Sequence, residues 1–189
     1  MTRYLVLLLI YLVGIMVFTS TVLPTGTGGF NPYSLRVPLV FEDQYNSEWA
    51  EVKSRINSVP QGESLYLEWR GLGGRTDLAD NFIEVLNRAA NQGKHIIVRV
   101  SGASISMHAN VVCFAPEYQW AAGDLVFHGV YTRDSNGNKQ YMNYLTEYYI
   151  DRCISRGILT QKDKEIIINQ HKKLTVHKDG TREVSNDWK

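Results

Sequence analysis

Three short stretches carry residue types able to do chemistry where strands end. The first is Arg70-Gly71-Leu72-Gly73-Gly74, directly after the β-rich run Ser64 to Trp69. Consecutive glycines let backbone N–H groups face a ligand oxygen with no Cβ in the way, as an oxyanion site or a phosphate loop requires. The stretch lacks the Lys and Ser/Thr of a P-loop and the third spaced glycine of a dinucleotide fingerprint, so nucleotide binding is not expected. A turn that only reverses the chain is the other reading. The second stretch centres on Ser106, at the start of a helix. A serine there gains from the helix dipole, and the N–H of Met107 points to the same side as its hydroxyl. Capping would use the same residue type, and Ser104 can fill that role equally. The third is His128 at the end of a short strand, where an imidazole can serve a serine as general base or remain a hydrogen-bonded structural residue.

The elements that hold these stretches follow from hydrophobic periodicity. Leu35 to Phe41 is short and β-rich, and Trp49, Val52 and Ile56 recur at helical spacing over 47–58. Ser64 to Trp69 is the next strand and runs straight into the glycines. Leu78, Phe82, Val85, Leu86 and Ala89 form one apolar stripe, which predicts an amphipathic helix over 76–91 with Gly93 beyond its end. His95 to Val100 has the β-branched run of a buried strand, and 101–109 supplies the small residues of a tight passage into a helix. Leu125 to Phe127 is a strand ending at His128. A long helix spans 140–155, closed by Gly157, and another begins at Thr160 with Asp163 in its first turn. Strands alternating with helices predict an α/β domain.

The order and register of these features resemble the proteolytic subunit family of the Clp protease, within the wider Clp and crotonase superfamily. That family's pattern is a strand entering Pro-Gly-Gly, then Gly-x-Ala-Ser/Ala-Ser-Met-Gly-Ala at a helix start, then a histidine. Gly73-Gly74, Gly102-Ala103-Ser104-Ile105-Ser106-Met107-His108-Ala109 and His128 occupy those places here. LRVPLVF and SLYLEW look like the family's first strands, so the resemblance covers roughly residues 35–131. It implies a Clp/crotonase-like fold of repeated β-β-α units and a serine peptidase. Carried over residue by residue, Ser106 is the nucleophile, His128 its base, and the N–H groups of Gly74 and Met107 the oxyanion hole. It also implies a peptide or protein substrate, self-association and no cofactor or metal.

The sequence departs from the family at informative places. Leu72 stands where the family has Pro, and His108 where it has Gly, which places a bulky ring near the helix start. The family's orienting Asp precedes a small strand. Aligning that strand with Leu174-Thr175-Val176 puts His171 there, with Asn169 just before it and Asp179 as the nearest carboxylate afterwards. Either Asn169 or Asp179 is expected to orient His128, because an amide can do so as in Cys-His-Asn sites. A catalytically inactive Clp-like domain that binds peptide or a partner protein is the alternative.

Composition bounds the setting. Of 189 residues 44% are hydrophobic and 21% charged, which excludes a disordered chain. Beyond residue 35 basic and acidic side chains balance at 19 each, so nothing in the charge favours nucleic acid. Tyr4 to Leu23 is uncharged and about twenty residues long, enough to cross a bilayer as a helix. The expected organisation is therefore a transmembrane signal anchor, or a signal peptide, over 1–23, a flexible linker over 24–33 and the α/β domain over 34–189. Arg3 precedes the apolar run, which predicts a single-pass protein with its folded domain on the extracytoplasmic side. Cys113 and Cys153 lie in apolar or helical stretches and are expected to be small buried thiols, or a disulfide if the domain is outside the cytoplasm.

Overall fold

In a computed structural model, the described residues are 33–42 and 46–186. The expected membrane segment and most of the linker lie outside them. Among the described residues no helix is long and apolar enough to cross a membrane.

The chain alternates strands and helices, in keeping with its hydrophobic pattern. Strands β1 (Ser34–Arg36) and β2 (Val40–Phe41) precede helix α1 (Asn46–Ser58). Then come β3 (Ser64–Gly71), β4 (Gly73–Gly74), α2 (Thr76–Asn91), β5 (His95–Ile105) and α3 (Met107–Phe114). Strands β6 (Glu117–Ala122), β7 (Leu125–Phe127), β8 (Tyr131–Arg133) and β9 (Lys139–Tyr141) lead to α4 (Asn143–Ser155) and α5 (Gln161–Ile168). The chain closes on β10 (Lys172–Val176) and β11 (Arg182–Asn186).

One sheet runs in the order β1-β3-β5-β7-β10-β11, with β6 also paired to β5. Pairings among β1, β3, β5, β6 and β7 are parallel, and β10 is antiparallel to both β7 and β11. Strand β5 serves two neighbours in turn. Its first part, Ile97 to Ser101, pairs with β6, and its last residues pair as Ser104↔Leu125 and Ile105↔Val126 with β7. The small residues after Val100 are thus strand and not loop, because a sheet neighbour on β7 overrides their weak β-preference.

The strand expected over 35–41 is divided instead. Pro38 has no N–H to give a ladder and ends β1, and β2 forms a separate parallel pair with the glycines of β4, Val40↔Gly73 and Phe41↔Gly74. The long helix expected from residue 140 begins at Asn143, because Lys139–Tyr141 pairs back on Tyr131–Arg133. The turn of that hairpin is closed by the Asp134 carboxylate, which accepts from the amides of Asn136 and Asn138 at 2.9 and 2.8 Å. Thr160 caps α5 as its sequence suggests. The Thr160 hydroxyl accepts from the Asp163 amide, and the Asp163 carboxylate accepts from the Thr160 amide, a reciprocal capping box.

Helix α2 buries Phe82, Ile83, Val85, Leu86 and Ala89 against the sheet, and its side chains meet an aromatic cluster. Phe41 stacks on Trp49 with ring centroids 4.4 Å apart, and Trp69 stacks on Phe82 at 5.6 Å. Helix α3 is buried along its whole length, so its position is fixed by packing on every side. Cys113 of α3 and Cys153 of α4 form a disulfide, where two buried thiols were the first expectation. Both are fully buried.

Candidate active site

Ser106 sits between the end of β5 and the first residue of α3. Its amide donates to the Val126 carbonyl of β7 at 2.8 Å, and its carbonyl accepts from the Asn110 amide at 3.1 Å. The backbone there has φ 58 and ψ −125, a conformation that side chains with a Cβ rarely adopt. Ser106 makes no capping hydrogen bond with its side chain. Ser104 does not cap the helix either; it lies inside β5, fully buried. The hydroxyl at the helix start is therefore presented by a strained sharp turn, as nucleophiles at strand-to-helix elbows are.

The glycine turn lies against this serine. A Cβ on Gly73, whose φ is +100, would stand 2.5 Å from Ser106 Cβ and 3.0 Å from Ser106 Oγ, so only glycine fits. Gly74 continues the turn with φ +125. The Arg75 amide donates to the Phe41 carbonyl at 2.8 Å. Met107 opens α3, and the first amides of a helix have no intrahelical acceptor.

His128 follows β7 directly. Since Ile105 pairs with Val126, the strand ends carrying Ser106 and His128 finish side by side. The Nδ1 of His128 lies 2.8 Å from the Gly129 carbonyl oxygen. A carbonyl can only accept, so Nδ1 carries the proton and Nε2 is the basic nitrogen, the tautomer a general base needs. The ring is half-buried beside Tyr131, centroids 5.7 Å apart.

The two proposed orienting residues part company. Leu174 pairs with Phe127 and Val176 with Leu125 in the antiparallel β7/β10 ladder, so the start of β10 faces His128 and its end faces away. Asn169 is at the near end, exposed at the C-cap of α5, its amide bonded to the Glu165 carbonyl. Asp179 lies beyond the far end, exposed. Its carboxylate accepts from the Thr181 amide at 2.9 Å and the Thr181 hydroxyl at 2.6 Å. Those bonds, Thr181 Oγ1 first, hold it below the usual carboxylate range. The structure does not bring Asp179 to His128, since the β10 ladder lies between them. His171, just before β10, has φ 49, stacks on Tyr141 at 4.0 Å and leaves its buried Nδ1 without a hydrogen-bond partner among the described residues.

His108 does not crowd the serine. Its ring turns into the core and is fully buried. Nδ1 accepts from the Gly73 amide at 3.1 Å, and Nε2 lies 3.0 Å from the Pro38 carbonyl oxygen. Burial pushes the imidazole down to about 4. Sequence patterning offers no signal for this role, because the bonds join residues far apart in the chain.

Among the described residues no three His, Cys, Asp or Glu side chains converge to hold a metal ion. The fold is shared with solved proteases. A mutant of the 1510-N membrane-bound stomatin-specific protease superposes with a TM-score of 0.53 at 14% identity, over 78% of this chain and 72% of that one. The ClpP protease catalytic domain from Plasmodium falciparum does so with 0.51 at 9%, over 76% of each chain. No family model matches the sequence, and no curated protein does. The chain therefore has a mixed α/β, ClpP-like fold.

Proposed function

We propose that this domain is a serine peptidase that cleaves peptide bonds by acyl transfer through Ser106. The observation that carries this is the strained, uncapped Ser106 at the start of a fully buried helix, packed against Gly73. Ser106 Oγ attacks the scissile carbonyl while His128 Nε2 takes its proton, and the N–H groups of Gly74 and Met107 hold the developing oxyanion. His128 then returns the proton to the leaving amine, and water releases the acyl group by the same route in reverse. The Gly129 carbonyl lies against His128 Nδ1 and fixes the tautomer, the part that an orienting acid plays in a triad.

The setting we propose is a single-pass membrane protein, anchored through Tyr4 to Leu23, with the domain extracytoplasmic and self-associating. The buried Cys113–Cys153 disulfide supports an oxidising compartment. The test is a fluorophosphonate probe applied to the full chain. Labelling that disappears in Ser106→Ala is the expected result. A folded chain that does not label leaves the inactive, peptide-binding domain as the correct account. Reporters fused after Lys189 decide the topology, and activity of a cytoplasm-only reporter there would overturn it.

A further inference from the structure

The glycine turn beside Ser106 is held by a side chain from the serine's own helix. His108 lies one residue beyond Met107 in α3, and its ring bridges two backbone groups of the facing segment, accepting from Gly73 N–H and reaching Pro38 C=O. The pair of bonds admits one tautomer. Nδ1 accepts, so Nε2 bears the proton and donates to Pro38. The ring has no room to choose another arrangement. It lies 4.6 Å from Phe41 and 5.0 Å from Trp69 by ring centroids, and the Trp69 indole N–H donates to the His108 carbonyl at 2.8 Å. A Cβ on Gly71 would collide with its imidazole.

We propose that His108 is a positioning residue of the active site: as a neutral Nε2–H imidazole it clamps Gly73 so that the next amide, that of Gly74, faces Ser106. This rests on the peptidase reading above and deepens it. The clamp occupies the Gly73 N–H, which leaves Gly74 as the donor from this turn. It also couples the turn to α3, so that nucleophile and oxyanion donor move as one body. A donor of this kind acts only if it stands within hydrogen-bond reach of the developing oxyanion, and a small displacement forfeits its contribution.

Two replacements separate the ring's two bonds. In His108→Asn the amide oxygen takes the place of Nδ1 and can still accept from Gly73. In His108→Gln the amide reaches the place of Nε2, and the Gly73 N–H loses its acceptor. With the full chain, the expected result is that His108→Gln slows fluorophosphonate acylation and the kcat for p-nitrophenyl acetate about 100-fold, with KM unchanged. The Asn variant should recover most of that rate. A folded Gln variant that reacts as fast as the unaltered chain overturns the proposal. Nitrogen-15 resonances of the His108 ring in the unaltered chain give a readout that needs no variant and no activity. A proton on Nδ1 overturns the clamp, and a proton on Nε2 with coupling across the Gly73 N–H bond supports it. If the unaltered chain does not label while the Nε2–H tautomer is present, the peptidase reading has failed and takes the positioning role of His108 with it.

Discussion

The Ser106 amide is bonded to the Val126 carbonyl at 2.8 Å, on the strand that His128 directly follows. One parallel ladder thus ties the proposed nucleophile to the proposed base, and the sharp departure of the chain at Ser106 turns the serine out of that ladder into the helix start. The fold reaches this by letting β5 exchange its neighbour β6 for β7 just before the serine.

The strain at Ser106 predicts a trade of stability against activity. Glycine tolerates φ 58, whereas serine there costs on the order of 1 to 3 kcal/mol. Ser106→Gly is expected to raise the unfolding free energy by about 1 kcal/mol and to abolish probe labelling. Urea unfolding followed by tryptophan fluorescence measures the first effect. A glycine variant no more stable than the serine form would show that the turn is not strained.

Gly73→Ala should act in the opposite sense on stability and the same sense on activity. Its Cβ would press on Ser106 Cβ at 2.5 Å in a positive-φ conformation, so either the serine or the turn must shift. A loss of roughly 2 kcal/mol or more is expected, together with loss of acylation. Normal labelling in a stable Ala variant would separate this turn from the site.

If the Gly129 carbonyl orients His128, replacing a side chain at the start or end of β10 should do little. Asp179→Ala and Asn169→Ala are each expected to leave the acylation rate within about threefold, where loss of a true orienting group costs orders of magnitude. A drop of 100-fold in Asn169→Ala, read with p-nitrophenyl acetate, would restore the amide as the third member.

The legibility of this fold in its sequence follows the range of the forces involved. Helix α2 is legible to the residue because Phe82, Val85, Leu86 and Ala89 form a local 3.6-residue pattern. The α5 start is legible because Thr160 and Asp163 cap each other within one turn. The β8–β9 hairpin, β6 and β11 were not legible, since short half-exposed strands owe their existence to partners elsewhere. Tyr148 of α4, apolar by type, is exposed, while Thr146 is buried, its hydroxyl accepting from the Val130 amide at 2.9 Å. At the site, Ser106, His128 and the glycines were visible as a registered pattern. The Gly129 partner of His128 and the His108 bridge were not, because backbone acceptors leave no mark on residue type.

The disulfide gives a prediction about the serine's helix. Cys113 and Cys153 close a loop with a sequence separation of 40, for which the chain-entropy account gives roughly 4 kcal/mol of stabilisation. Cys153→Ser should lower stability by about that amount and leave one thiol that reacts with a thiol reagent only after unfolding. The unaltered chain should show no free thiol without reductant. Two titratable thiols in the unreduced, unfolded chain would mean that the pair is reduced and that the oxidising compartment is wrong.

His108 makes stability depend on acid in a defined window. In the unfolded chain its imidazole has the ordinary value of 6.5, and in the folded chain burial pushes it down to about 4. Between those values the unfolded chain binds the extra proton and the folded chain does not, so stability present above pH 6.5 is lost as the pH falls toward 4. At roughly 1.4 kcal/mol per pH unit, a drop from pH 6.5 to 5 should cost about 2 kcal/mol through this residue. His108→Asn cannot titrate, so its unfolding free energy should fall by about 2 kcal/mol less than that of the unaltered chain over the same interval. Urea unfolding of both chains at the two pH values measures the difference. Parallel losses would mean that His108 takes up its proton while folded, and the ring could not then accept from Gly73.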